Sequence, residues 1–227
     1  MPRCSRDKGR GYSRGCPPTF GSWPIRAWHA GTATRSRPVF DRIGPRRAPV
    51  LTGAVFLVTA AALVAQPAVP GLLDHVRRDG AAIDAGQWWR LLTGMFFQDG
   101  GLFGGIFNLA VLAVFGALAE SSFGRVRWIA LYFGCGLFGQ FLSYLWLRPV
   151  GAGNSMCVAG LLGALAVALL RAPARHGVQL SKQVFLVPVL VAPLAVFDTV
   201  LHDNHGLPAL LGMVLGFLLL PRVRPAA

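Results

Sequence analysis

Six apolar runs, each free or nearly free of charge, constrain this chain more than any other feature. They fall at about 51–69, 102–119, 128–147, 156–170, 183–201 and 206–220. A helix needs about 20 mainly apolar residues to cross the hydrocarbon core of a bilayer. Within that core a lone segment can satisfy its own backbone only as a helix. Charged residues make up 14% of the chain, against roughly 25% in ordinary soluble domains. The expectation is an all-α polytopic membrane protein with six transmembrane helices. The fourth run is short for a span, so it begins inside the bilayer or follows a dipping loop.

The connection between the first two runs, residues 70–101, is long. It contains Gln87-Trp88-Trp89-Arg90-Leu91-Leu92-Thr93-Gly94-Met95-Phe96-Phe97, an amphipathic aromatic segment suited to the membrane interface, where indole rings prefer to sit. Residues 1–49 carry eleven Lys and Arg among scattered Gly, Pro and Ser, with no helical or strand period. They are expected to form a disordered tail. The membrane domain then spans 50–221, followed by a short C-terminus at 222–227.

Orientation follows from the distribution of basic residues, because cytoplasmic loops collect Lys and Arg. With the N-terminus inside, eighteen Lys and Arg lie on the cytoplasmic side, while Arg77, Arg78, Arg90 and Arg148 lie outside. Both termini are therefore expected in the cytoplasm, with the protein in the plasma (inner) membrane. The same bias accounts for the net charge of +13, so no nucleic-acid partner is implied. Cys4 and Cys16 lie in the tail and Cys135 and Cys157 in apolar runs. They form no disulfide framework or zinc-type spacing, and no metal or cofactor is expected.

This topology gives the second, fourth and sixth helices the same direction, so their N-terminal ends share the outer face. Asn108, Ser155 and His205 occupy those ends. Polar side chains inside spans are costly and usually face the bundle interior or a water-filled cavity. The sixth helix carries Gly212 and Gly216 with Ala209 one turn earlier, and the fourth carries Gly160, Gly163 and Ala164. Small residues of this kind let helix backbones approach closely. A serine hydroxyl becomes a useful nucleophile only beside a base such as imidazole. Unpaired N–H groups at a helix start can hold a developing oxyanion, with Asn108 and Asn154 as side-chain donors. His202 competes with His205 as the base, Asp198 is read as a cap or interface residue, and Asn108 could instead bond a neighbouring helix.

These residues resemble the rhomboid family of intramembrane serine proteases over about residues 51–220. Trp89-Arg90 resembles the Trp-Arg of the family's first outer loop. Asn108, Gly116, Glu120 and Gly124-Arg125 match its second helix, and Gly153-Asn154-Ser155 with Gly160-Leu161-Leu162-Gly163-Ala164 its nucleophile motif. His205, seven residues before Gly212, resembles the base. The resemblance implies a rhomboid-like six-helix bundle and a Ser155–His205 dyad that needs no third acid. It also implies a cavity open to outside water and transmembrane protein segments as substrates. The chain departs from the family pattern at four positions. Gly104 stands where a histidine usually precedes the asparagine, and Gln98 replaces an earlier loop histidine. Met156 replaces the glycine after the serine, and Pro208 a small residue after the base. Asn154 is a candidate to replace the missing donor. Pro188 and Pro193 in the fifth helix suggest a mobile gate. A non-catalytic rhomboid-like protein that binds transmembrane helices is the rival reading. A small transporter is disfavoured because no paired intramembrane charges mark an ion path.

Overall fold

The structure is a computed structural model that describes residues 48–176 and 181–220. The basic segment 1–47 and the terminal 221–227 lie outside the described residues. Among the described residues the chain is helical throughout, apart from loops and one isolated bridge between Arg78 and Gly151. Six principal helices form the bundle: α1 (Val50–Ala68), α5 (Gly101–Phe123), α6 (Arg125–Leu147), α7 (Ser155–His176), α8 (Lys182–Val200) and α9 (Gly206–Leu219). Three short helices, α2 (Leu72–Val76), α3 (Gly80–Asp84) and α4 (Arg90–Thr93), fold up the long connection between α1 and α5.

The first four principal helices are each long and apolar enough to span a bilayer, and α8 and α9 complete the set as shorter apolar helices. Leu57, Val64, Phe103, Phe107, Val187 and Phe197 are all exposed, as side chains are when they face lipid rather than water. The protein is thus an integral membrane protein. The fourth segment corrects an expectation: α7 is 22 residues long rather than short. It continues past Arg171, whose guanidinium lies 4.1 Å over the Phe217 ring, and through Pro173, which removes one ladder hydrogen bond. The shortest principal helix is instead α9, with 14 residues, or about 21 Å at 1.5 Å per residue.

The centre of the bundle is α7, which packs against α6, α8 and α9 and against the second half of α5. Leu112, Phe123, Trp128, Tyr132, Cys157, Leu161 and Ala164 form the core there. Two polar contacts tie α5 to its neighbours. Glu120 is buried and accepts hydrogen bonds from the Leu51 and Thr52 amides and the Thr52 hydroxyl, so a carboxylate from α5 caps the start of α1. A π-helical turn at Leu112–Gly116 loosens the α5 ladder, and the Trp128 indole donates to the Gly116 carbonyl at 3.0 Å.

Candidate active site

The loop before α7 is held by the α1–α5 connection. Arg78 pairs with Gly151 through both backbone groups at 2.9 and 3.0 Å. Its buried guanidinium also donates to the Arg148 carbonyl and to the Gln140 side chain. Burial lowers the Arg78 pKa to about 10, with nearby Asp99 opposing the drop, so the side chain stays charged at neutral pH. Asp99 accepts from the Ala152 amide, and the Gly153 amide donates to the Gly94 carbonyl. Arg90, from the Trp-Arg pair, is buried and donates to Gln87, to the Asp74 carbonyl and to the Arg77 carbonyl. Trp88 and Trp89 stay about half exposed. A connection that reads as an aromatic surface loop is therefore a staple, and it fixes where Ser155 begins α7.

From α9 the counterpart arrives through backbone contact. A side-chain carbon on Gly163 would lie 2.0 Å from the Ala209 carbonyl, and one on Gly212 would lie 2.0 Å from that of Gly160. The small-residue stripes therefore face each other as their spacing suggested. Ser155 Oγ lies 2.9 Å from His205 Nε2. The Asp198 carboxylate accepts from the His205 and Gly206 amides at 3.2 and 2.6 Å, so it caps α9 from α8. His202 sits at φ 58° in the left-handed region, and its exposed ring packs edge-on against Trp146. Of the two candidate bases, the structure brings His205 to the serine.

A residue that the sequence did not single out, Asp203, completes the arrangement. Asp203 Oδ1 lies 2.8 Å from His205 Nδ1. An ionised carboxylate can only accept, so Nδ1 carries the proton and Nε2 turns its lone pair to the Ser155 hydroxyl. Asp203 also accepts from the Asn204 amide at 2.6 Å and faces Arg148 at 3.6 Å. Partial burial raises its pKa, but the Asn204 amide, His205 and Arg148 together outweigh this and hold it below the ordinary 3.8. Asp198, Asp203 and His205 have the chemistry of a metal set. Their facing atoms are nevertheless engaged with one another and with backbone amides.

The two asparagines meet through Gln98. Asn108 Nδ2 donates to Gln98 Oε1 at 2.8 Å, and Gln98 Nε2 donates to Asn154 Oδ1 at 3.2 Å. Gln66 of α1 clamps the Gln98 backbone from both sides. Asn154 is fully buried next to the serine, and its Nδ2 has no well-formed partner. Gln98 entered the sequence reading only as a substituted histidine; its position as hub depends on the α1–α5 connection folding back. A side-chain carbon on Gly104 would meet nothing within 4 Å, so the position of the expected histidine is open space. Met156 is buried. Its sulfur accepts from the Ser143 hydroxyl at 3.7 Å and would lie 2.9 Å from a side-chain carbon on Gly139. Gly139 of α6 thus makes room for the bulk that the missing glycine adds. Beside the serine a cavity of about 160 Å³ is lined by Ser155, Met156, His205, Asp203, Arg78 and Arg148, among others.

The family description "Rhomboid domain" matches residues 85–222, more than half of the chain. The chain is 32% identical over 88 residues to rhomboid protease GluP of Bacillus subtilis (strain 168), covering 39% of this chain and 17% of that protein. It is 28% identical over 149 residues to YdcA of the same organism, whose name gives rhomboid protease as an unproven assignment, covering 64% and 72%. RHOMBOID-like protein 6, mitochondrial, of Arabidopsis thaliana is 29% identical over 141 residues, covering 61% and 46%.

Proposed function

This chain belongs to the rhomboid family, and on that premise we propose that it is an intramembrane serine endopeptidase that cleaves transmembrane segments of other membrane proteins. The observation that carries this reading is the 2.9 Å approach of Ser155 Oγ to an imidazole whose other nitrogen is held by a carboxylate. Ser155 Oγ attacks the peptide carbonyl while His205 Nε2 takes its proton. The tetrahedral oxyanion is received by the Ser155 backbone N–H at the start of α7, with Asn108 and Asn154 as amide donors; each such donor is worth ~3 kcal/mol of barrier. His205 then protonates the leaving amine, and the acyl ester is hydrolysed by a water that gives its proton to the same nitrogen. In this reading both termini are cytoplasmic, the protein lies in the plasma membrane, and the cavity beside Ser155 opens to the outer face.

The second reading, a non-catalytic binder of transmembrane helices, is favoured by the empty space at Gly104, where a donor is absent. A fluorophosphonate probe applied to purified protein in lipid separates the two. Labelling of wild type, lost in Ser155→Ala and His205→Ala and kept in His202→Ala, supports the protease. Absence of labelling in wild type selects the binder, and loss in His202→Ala alone would reassign the base.

A further inference from the structure

We propose that Asp203 is a positioning residue for His205, so that the site operates as a Ser155–His205–Asp203 triad rather than as a dyad. This rests on the protease reading above. The carboxylate is fixed from three sides: its own loop through the Asn204 amide at 2.6 Å, the α6–α7 loop through Arg148 at 3.6 Å, and the imidazole at 2.8 Å. The turn that allows this is the left-handed His202, which reverses the chain between α8 and the base. A carboxylate so held does two things. It selects the tautomer with the proton on Nδ1, leaving Nε2 to accept from Ser155. It also stabilises the imidazolium that forms when the serine proton is taken, as an orienting aspartate does in other serine hydrolases.

Asp198 does not fill this role: its Oδ2 accepts from the His205 and Gly206 backbone amides, and it makes no hydrogen bond to the ring. The other charged or titratable groups around the ring are Arg148 from the α6–α7 loop, Arg78 and Asp99 on the cavity wall, and His202 in the same turn. None of these has a hydrogen bond to the imidazole, so among the described residues Asp203 is the group that holds Nδ1.

The test compares wild type with Asp203→Asn, Asp203→Glu and Asp203→Ala in proteoliposomes. Cleavage of a transmembrane substrate is followed against pH, and the His205 tautomer is read by ¹⁵N NMR. Asp203 is partly exposed, so its removal should matter less than in a fully enclosed triad, where the loss is ~10⁴-fold. Asp203→Asn is expected to lower kcat about 30-fold with KM within about twofold, to move the acidic limb of the kcat profile to lower pH, and to shift His205 toward the Nε2–H form. Asp203→Glu should restore part of kcat, and Asp203→Ala should resemble Asp203→Asn. Unchanged kcat, pH profile and tautomer in Asp203→Asn would overturn the assignment. The tautomer separates this from failure of the protease reading. If wild type neither labels nor cleaves, the protease reading falls, while a tautomer shift in Asp203→Asn still supports Asp203 as the group that orients the ring.

Discussion

The two helices that flank α7 on the Ser155 side are held to it in opposite ways. The α7–α9 seam is backbone on backbone: Gly160, Gly163 and Ala164 meet Ala209, Gly212 and Gly216 with no room for a further carbon. Its neighbour α8 buries only Pro188 and Ala195 among its described side chains. Apolar cavities of about 230 and 240 Å³ lie on its two sides, one toward α5 and α7 and the other toward α7 and α9. Its firm attachment is at its C-terminal end, where Asp198 caps α9 and Gly206 packs against the Ala195 carbonyl and Thr199. The Ser155–His205 pair is thus carried by the closely packed seam, while the neighbouring side is covered by the loosely packed α8. Close-packed interiors have low compressibility, so under the protease proposal this division would hold the Ser155–His205 distance while α8 yields to a substrate.

The comparison breaks most completely at Gly212. A leucine there would place its first side-chain carbon 2.0 Å from the Gly160 carbonyl, and backbone cannot yield as a flexible side chain can. Gly212→Leu is expected to destabilise the bundle by about 3 kcal/mol and to abolish fluorophosphonate labelling. Thermal unfolding in detergent, with labelling of the surviving folded fraction, checks both. Wild-type labelling in that fraction would mean that the seam does not set the Ser155–His205 approach. Asp198→Ala should do less: it removes one cap, worth about 1 kcal/mol, and leaves the His205 amide without its acceptor. Labelling should fall about tenfold, or 1.4 kcal/mol, with the same loss for soluble and membrane-embedded substrates. A loss confined to embedded substrates would move Asp198 from the site to the gate.

How far the chain could be read from its sequence follows the same division. The apolar runs located all six principal helices, because a bilayer demands continuous hydrophobic length. The small-residue spacing on α7 and α9 foretold the seam, because close approach leaves few alternatives to glycine and alanine. That Ser155 and His205 lie close together was legible because helix direction put them at one end. Asp203 was not: its contact with His205 depends on His202 entering a left-handed turn that the sequence does not announce. Gln98 was hidden for a different reason, since linking two asparagines requires the α1–α5 connection to fold back onto α7. The length of α7 was misread because the apolar run stops at the charge of Arg171, while the helix continues with that guanidinium over the Phe217 ring.

On the α8 side the expected effects are smaller. Pro188 and Pro193 lie inside a helix that continues through both, and each removes one ladder hydrogen bond. Replacing both with alanine restores two donors and stiffens α8. If α8 is the gate, cleavage of an embedded substrate should slow about fivefold, a barrier change of about 1 kcal/mol, with labelling by a small soluble probe unchanged. Equal rates for the embedded substrate would return α8 to the rigid part of the bundle.

The smallest effect lies in the turn that joins the two sides, and its sign is fixed by the charge pattern around Asp203. The folded protein holds this carboxylate below its ordinary 3.8, because the Asn204 amide, His205 and Arg148 together outweigh its burial. A group whose pKa is depressed on folding contributes stability that is complete above the unfolded value and is lost as pH falls through the folded one. The advantage of wild type over Asp203→Asn in unfolding experiments should therefore be present at neutral pH, begin to shrink near pH 3.8 and vanish below the folded value. Since the pair with Arg148 is partly exposed, its size should be about 1 kcal/mol or less and should fall with added salt. An advantage that grew as pH fell would mean that the carboxylate is disfavoured in the folded turn. The loose helix and the rigid seam would then be joined there by strain rather than by attraction.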